Sequence, residues 1–265
     1  MNPQTAKILC DINDDFYRGH HEGFSATRQG PWPGWKSCLD LIEQQGVGGF
    51  GGKGAQGRPQ DCCVFDLACG NLRFEAFLQS QWPDAAFKLY ALDNCDALVP
   101  PTPKVHYQNL DVLGLLLKGR TLSEHYRAPR CDLAVCFGFM HHVPSMDYRG
   151  KIMQSLLQQS RSGGYVVVSF WQFMENQHMA KKARATHAKA LESPGLAGLV
   201  EDLDANDYLI GWNDLSDVYR YCHSFTEEEI DKLLKASCGN AKLIARFKAD
   251  GRTGNLNIYV VLQVA

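Results

Sequence analysis

Asp66 closes an apolar run, Cys62-Cys63-Val64-Phe65, and Gly70 follows it four positions later. The small residues Ala68, Cys69 and Gly70 let backbone approach a ligand closely. Asn71 and Arg73 then open a helical pattern, and amides at a helix start favour negative charge. An acceptor carboxylate beside anion-binding amides is what the zwitterionic end of an amino acid needs. S-adenosyl-L-methionine carries such an end, so a site for this methyl donor is the first expectation from residues 62 to 74.

Other polar residues stand at the ends of further apolar runs. Asp93 ends one 27 positions after Asp66. A carboxylate there can take both hydroxyls of a ribose, with Asn94 beside it. Asp111, after Asn109-Leu110, can accept from an adenine amine, and Phe137 closes a fourth run. Each also has a plainer reading, as a turn cap, a solvated acid or core. His141-His142 come next and either orient an acceptor or finish a helix. Neither has partners at a metal-ligand spacing and Cys-x-x-Cys is absent, so no metal is expected.

These residues need strands that end together. The pattern predicts strands at 64–67, 87–92, 105–109, 132–137 and 165–170, with helices over 73–81 and 148–159. The stretch 113–117 is helix or loop, and Ser162-Gly163-Gly164 reads as a turn. Such alternation implies an α/β fold with a doubly wound, mostly parallel, Rossmann-like sheet. Ligands sit outside the carboxyl ends of its strands, so Asp66, Asp93, Asp111 and His141 face one crevice. Thr226 is an expected N-cap for a helix over 227–236. Strands at 243–247 and 257–264 complete a seven-stranded sheet.

The remaining segments frame that sheet in a single domain, 1–265. Residues 1–45 form an N-terminal helical cap, which Pro31 and Pro33 interrupt. Residues 46–60 are glycine-rich. Gly49-Phe50-Gly51-Gly52-Lys53-Gly54 matches Gly-x-Gly-x-x-Gly, but no strand leads into it and no helix follows, so a flexible loop is expected. Residues 174–218 break the rhythm and read as an insert over the crevice. Within them 178–192 looks like a basic helix carrying Lys181, Lys182, Arg184 and Lys189, either a solvated face or a phosphate footprint.

Bulk composition narrows the function classes. The chain has 265 residues, 45% hydrophobic, enough for a sizeable core. With 27 basic and 29 acidic residues the net charge is -2, so nucleic-acid binding would need a local patch. Ten cysteines sit largely in apolar runs and behave as small hydrophobes, which suits a reduced, cytoplasmic setting. The start, Met1-Asn2-Pro3-Gln4, lacks a signal-peptide core, and no apolar run reaches the roughly 18 residues of a membrane span, so no membrane partner is expected.

The strand-turn-helix at 64–74, with Asp93 at the next strand end, resembles a class I S-adenosylmethionine-dependent methyltransferase. Within that superfamily, Phe24-Ser25-Ala26-Thr27-Arg28 with Pro31-Trp32-Pro33 resembles the N-terminal signature of the tRNA wobble-uridine carboxymethyl methyltransferases. His141-His142 sits where that family carries two histidines. Asp207-Tyr208-Leu209-Ile210-Gly211-Trp212 and Tyr219-Arg220-Tyr221-Cys222-His223-Ser224-Phe225 resemble its Val-Pro-Trp and Arg-Tyr-Tyr-His-x-Phe elements. The likeness spans about residues 16 to 236. It departs at the turn, where Gly-Cys-Gly-Asn-Gly becomes Ala68-Cys69-Gly70-Asn71-Leu72, and again at Gly211 and Cys222.

The resemblance implies methyl transfer to the carboxylate of a modified wobble uridine, giving an ester. It implies catalytic roles for His142, Arg220 and His223, and substrate contacts from Arg28, Trp32, His141, Trp212 and Tyr221. The cofactor set becomes Asp66, Ala68, Gly70, Asn71 and Arg73, then Asp93, Asn94, Asp111 and Phe137. For Trp32, Trp212 and Tyr221, stacking on a base and buried packing stand as equal alternatives. The acceptor partner is tRNA or a small molecule, with room for a small activating subunit. A non-catalytic cofactor-binding subunit is the remaining alternative.

Overall fold

Short runs rich in β-branched and aromatic residues become strands when turns close them. The computed structural model describes residues 1–45, 62–213 and 215–265 and forms these strands in the expected order. The glycine-rich stretch lies outside the described residues. Strands β1 (Cys62–Leu67), β2 (Phe87–Asp93), β3 (Val105–Asn109), β4 (Cys131–Cys136) and β5 (Ser160–Trp171) pair in parallel. The last strand, β9 (Asn257–Val264), runs antiparallel between β5 and the edge strand β8 (Ala241–Ala249). The sheet order is β3-β2-β1-β4-β5-β9-β8. Chain direction across the sheet reverses between β1 and β4, and a crevice opens where the connections part.

Two apolar layers cover the sheet. Side chains alternate along β1, so Val64 and Phe65 face opposite ways. Val64 joins Trp35 and Leu39 of α2 (Pro33–Gln44) and Phe74, Phe77 and Leu78 of α3 (Arg73–Gln81). Phe65 joins the other layer, with α4 (Val112–Leu117), α5 (Leu122–His125), α6 (Met146–Gln159) and α8 (Glu227–Ser237). Thr226 caps α8 in a reciprocal box with Glu229, as expected. The predicted turn at 162–164 lies inside β5. It is a register shift opposite Cys131 and Leu133, and an added Cβ at Gly164 would meet the Asp132 and Cys131 carbonyls at 3.1 Å.

The segment read as an insert holds α7 (Gln177–Leu191) and β6 (Asp207–Gly211), a strand the sequence pattern does not predict. β6 pairs antiparallel with β7 (Tyr219–His223) in a separate two-stranded ribbon. Helices flank both edges of that ribbon. From α1 (Pro3–Ala26), the Asn13 amide accepts from the Tyr221 N–H at 2.8 Å and donates to its carbonyl at 3.2 Å. From α7, Thr186 donates to the Leu209 carbonyl at 3.3 Å and His187 Nδ1 accepts from its N–H at 3.1 Å.

Candidate functional site

The turn after β1 is built from three left-handed residues, Ala68 (φ 64°), Gly70 (φ 55°) and Leu72 (φ 58°). Two of them carry a Cβ that this conformation disfavours by about 1–2 kcal/mol each. Leu72 offsets its strain by burial with Cys69 and Ala91. Ala68 packs less fully, so Ala68→Gly is expected to raise stability by about 0.5–1 kcal/mol, or about 2 °C in Tm. Thermal denaturation checks this.

Asp93 ties the turn to β2. One of its oxygens accepts from the Gly70 N–H at 2.8 Å and the other from the Cys95 N–H at 2.9 Å. Burial pushes its carboxyl up, against the pull of those amides. Asp66 lies beneath, 2% exposed, and Glu75 of α3 faces it, also 2% exposed. Oδ1 of Asp66 and both Glu75 oxygens have no donor. Burial, and then the facing Glu75 charge, push Asp66 well above the usual carboxylate range, and burial lifts Glu75 to about 7. Among the described residues no lysine or arginine pairs with either.

Asn71 and Arg73 border the same cavity but use their side chains to hold the end of α1 and the segment that follows it. Asn71 donates to Ser25 Oγ at 2.9 Å and to the Arg28 carbonyl at 3.3 Å. Arg73 donates to the Gly30 carbonyl at 2.8 Å and lies over Trp32 and Trp35. Asn94 donates to Asp14 at 2.7 Å. Asp111 N-caps α4 by accepting from the Gly114 N–H at 2.8 Å. With Phe137 these residues line one cavity of about 550 Å³.

The opposite wall begins in the turn after β4. His142 is 4% exposed and both its ring nitrogens are engaged. Nδ1 donates to the Tyr221 carbonyl at 2.8 Å, and Nε2 accepts from the Tyr17 hydroxyl at 2.8 Å; this network assigns the tautomer. Burial, with the Arg220 charge nearby, lowers His142 to about 3, so it is neutral at ordinary pH. His141 packs on His142 and Trp171, and its Nδ1 has no partner.

Arg28 and Arg220 complete this wall. Arg28 stacks on Phe24 at 3.6 Å, and Arg220 lies 5.0 Å from both the Phe16 and Trp212 rings. Arg220 is 5% exposed and its Nε is unpartnered. Burial lowers Arg28 to about 10, which leaves it charged near neutrality. Among the described residues neither guanidinium meets a carboxylate at ion-pair distance, whereas Arg149, Arg161 and Arg246 all do.

Three expected site residues lie away from the cavity. His223 and Tyr221 are wholly buried, with their side chains in a network behind β7. Asp207 accepts from the Tyr221 hydroxyl at 2.8 Å and from His223 Nδ1 at 2.7 Å; Arg149 approaches it at 3.6 Å. Tyr221 and His223 therefore do not line the cavity, because alternation along β7 turns them inward while Arg220 faces it. Trp212 holds Arg220 and borders a small hollow beside Gly19 and Glu22. Neither Tyr17, whose hydroxyl donates to His142, nor Glu75 is among the residues expected from the sequence. An acid three positions before Leu78 on an apolar helix face was the signal for the latter.

His141, His142 and Cys222 bring ligand-type atoms within 4.8 Å of one another. His142 has no lone pair free, and two guanidiniums stand nearby, so the cluster is poorly suited to a cation.

No protein-family model matches the chain. The mouse tRNA (carboxymethyluridine(34)-5-O)-methyltransferase ALKBH8 is 21% identical over 187 residues, 71% of this chain and 24% of that protein. The chain thus spans about a quarter of that relative's length. A Burkholderia thailandensis 1,6-didemethyltoxoflavin-N1-methyltransferase, solved with bound 1,6-didemethyltoxoflavin and S-adenosylhomocysteine, superposes with a TM-score of 0.57 at 16% identity, covering 100% of this chain and 91% of that one. The Synechocystis magnesium protoporphyrin IX methyltransferase with bound S-adenosylhomocysteine gives 0.54 at 12% identity, covering 95% and 97%. A Methanosarcina mazei S-adenosylmethionine-dependent methyltransferase gives 0.53 at 17%, covering 77% and 92%. The chain has the class I S-adenosylmethionine-dependent methyltransferase fold.

Proposed function

We propose that this protein is an S-adenosylmethionine-dependent methyltransferase that esterifies a carboxylate, and that its acceptor is the carboxymethyl group of a tRNA wobble uridine. The observation that carries the reading is the pair Arg28 and Arg220, two guanidiniums on one cavity wall that meet no carboxylate at ion-pair distance among the described residues. A buried, unpaired cation is costly, and an entering carboxylate removes that cost with charge-assisted hydrogen bonds.

The chain's residues fit the cofactor at the other wall. Asp66 has an orphaned oxygen suited to an ammonium, and Asp93 has lone pairs beyond those its two amides use. When bound, the cofactor supplies an electrophilic methyl group on a sulfonium. A carboxylate is already ionised near neutral pH, so the chain needs no general base. That agrees with a neutral, fully hydrogen-bonded His142. Arg28 and Arg220 orient the carboxylate, and Phe24, Trp32, Phe137 and Trp171 exclude water around it.

The tRNA acceptor draws support from the mouse relative and from the exposed Lys181, Lys182, Arg184 and Lys189 on α7. A small anionic metabolite is the second reading, favoured by the net charge of -2. The deciding assay offers labelled S-adenosylmethionine with tRNA carrying carboxymethyluridine, or with a panel of small carboxylic acids. Alkali-labile label on tRNA, and a gel shift that weakens with salt, are expected. Label on small acids alone selects the second reading, and alkali-stable label defeats ester formation.

A further inference from the structure

Two carboxyls from different elements meet at the cavity floor, and among the described residues no cation stands between them. Asp66 comes from the end of β1 and lines the cavity; Glu75 comes from the first turn of α3, behind it. Both are 2% exposed, and three of their four oxygens are buried without a donor. The other titratable groups that bear on Asp66 are Asp93 from β2, Cys69 from the turn and Cys136 from β4, none of them cationic. Two facing carboxylates in so dry a place cannot both ionise, so the pair holds a proton. Such an arrangement costs stability in the empty fold, and sites that spend stability this way are built for a ligand.

We propose that Glu75 is a cofactor-positioning residue. In its protonated form it donates to Asp66, and the pair presents one negative charge to an ammonium entering the cavity. The inference rests on the cofactor reading above and deepens it. The proton balance is simple. Where both carboxyls start protonated, binding of a cationic ammonium expels one proton to solvent, and the second remains between Glu75 and Asp66. Where one has already ionised, nothing is released. Burial raises both groups, the facing Glu75 pushes Asp66 up further, and Glu75 is lifted to about 7, which sets the window: release is near one at pH 6 and falls toward zero as pH rises past about 7. Affinity therefore rises with pH across the same window.

Calorimetric titration of the full chain with S-adenosylhomocysteine, in two buffers of different ionisation enthalpy from pH 5.5 to 7.5, reads both quantities. The wild type is expected to bind about tenfold more tightly at pH 7.5 than at 5.5 and to release close to one proton at the low end. Glu75→Gln keeps a donor facing Asp66 and removes one acid. It is expected to bind within about threefold of wild type at pH 7.5, with a flat pH profile. Glu75→Leu removes the donor and is expected to bind about tenfold more weakly at pH 7.5; circular dichroism confirms that it is folded. A wild type that binds without proton release, or a Gln variant that keeps the wild-type profile, overturns the proposal and leaves the methyltransferase reading standing. Failure of S-adenosylhomocysteine to bind the wild type at any pH overturns both.

Discussion

Arg220→Met is expected to lower kcat/KM for a carboxylate acceptor by about a hundredfold while Tm does not fall. The two halves of that result separate a substrate role from a structural one. Truncating one partner of a buried charge pair costs about 2–5 kcal/mol, and about 1.4 kcal/mol is a factor of ten. The loss belongs to the acceptor, so affinity for S-adenosylhomocysteine should stay within about twofold. Stability should hold because Arg220 meets no carboxylate among the described residues, and its Nε is already unsatisfied. Methionine keeps an apolar body against Phe16 and Trp212 and removes a charge that the empty site leaves unpaired. Arg220→Lys should recover only part of the rate, since an ammonium cannot supply the planar fork. An unchanged kcat/KM in Arg220→Met, under saturating cofactor, would remove Arg220 from the acceptor site.

Asp207→Ala is expected to cost about 3–5 kcal/mol of stability and lower Tm by about 10 °C or more. Asp207 is 3% exposed and serves three buried partners. Without it Arg149, 1% exposed, keeps its bonds to the Val143 carbonyl and the Tyr221 hydroxyl but loses the nearest negative charge. The Tyr221 hydroxyl and His223 Nδ1 lose their acceptor in the same step. Breaking a buried ionic network from one side strands the other charges, and that is where the size of the effect comes from. Asp207→Asn, which retains an acceptor oxygen, should lose less than half as much. Differential scanning calorimetry checks both, and a drop of under about 2 °C for the alanine variant would refute this account of the network.

The wall at Asp66 and Asp93 was more legible in the sequence than the wall at Arg28 and Arg220, for a physical reason. Helix α3 begins at Arg73 and ends at Gln81 as its spacing predicts, and β3 and β9 match their predicted ranges residue for residue. In this half each expected residue sits at the end of its own strand or turn, so local pattern and spatial position coincide. Asp66, Gly70, Asp93 and Asp111 therefore arrive together. Behind the other wall, Tyr221 and His223 belong to a ribbon whose residues are largely buried. Polar residues there are inside the protein, and alternation alone does not reveal which side of β7 meets the cavity. Arg220 is exposed to the cavity only because β6 pairs with β7 in one register, and β6 carried no strand signal. Asn71 and Arg73 show a different limit: they occupy the expected place, yet their side chains reach back to residues 25–30, contacts between distant parts of the chain that no local motif encodes.

The bracketing of the β6–β7 ribbon by helix side chains also bears on strand addition at its two edges. A two-stranded ribbon is marginal alone and offers two open edges, each a template for a strand from another molecule. Here Asn13 occupies the outward N–H and carbonyl of Tyr221, and Thr186 with His187 occupies those of Leu209. Side-chain amide, hydroxyl and imidazole groups stand in for the missing neighbouring strands. The ribbon that carries Arg220 is thus closed to strand addition at its centre on both sides, without the edge lysines, prolines or bulges by which sheets more often resist aggregation.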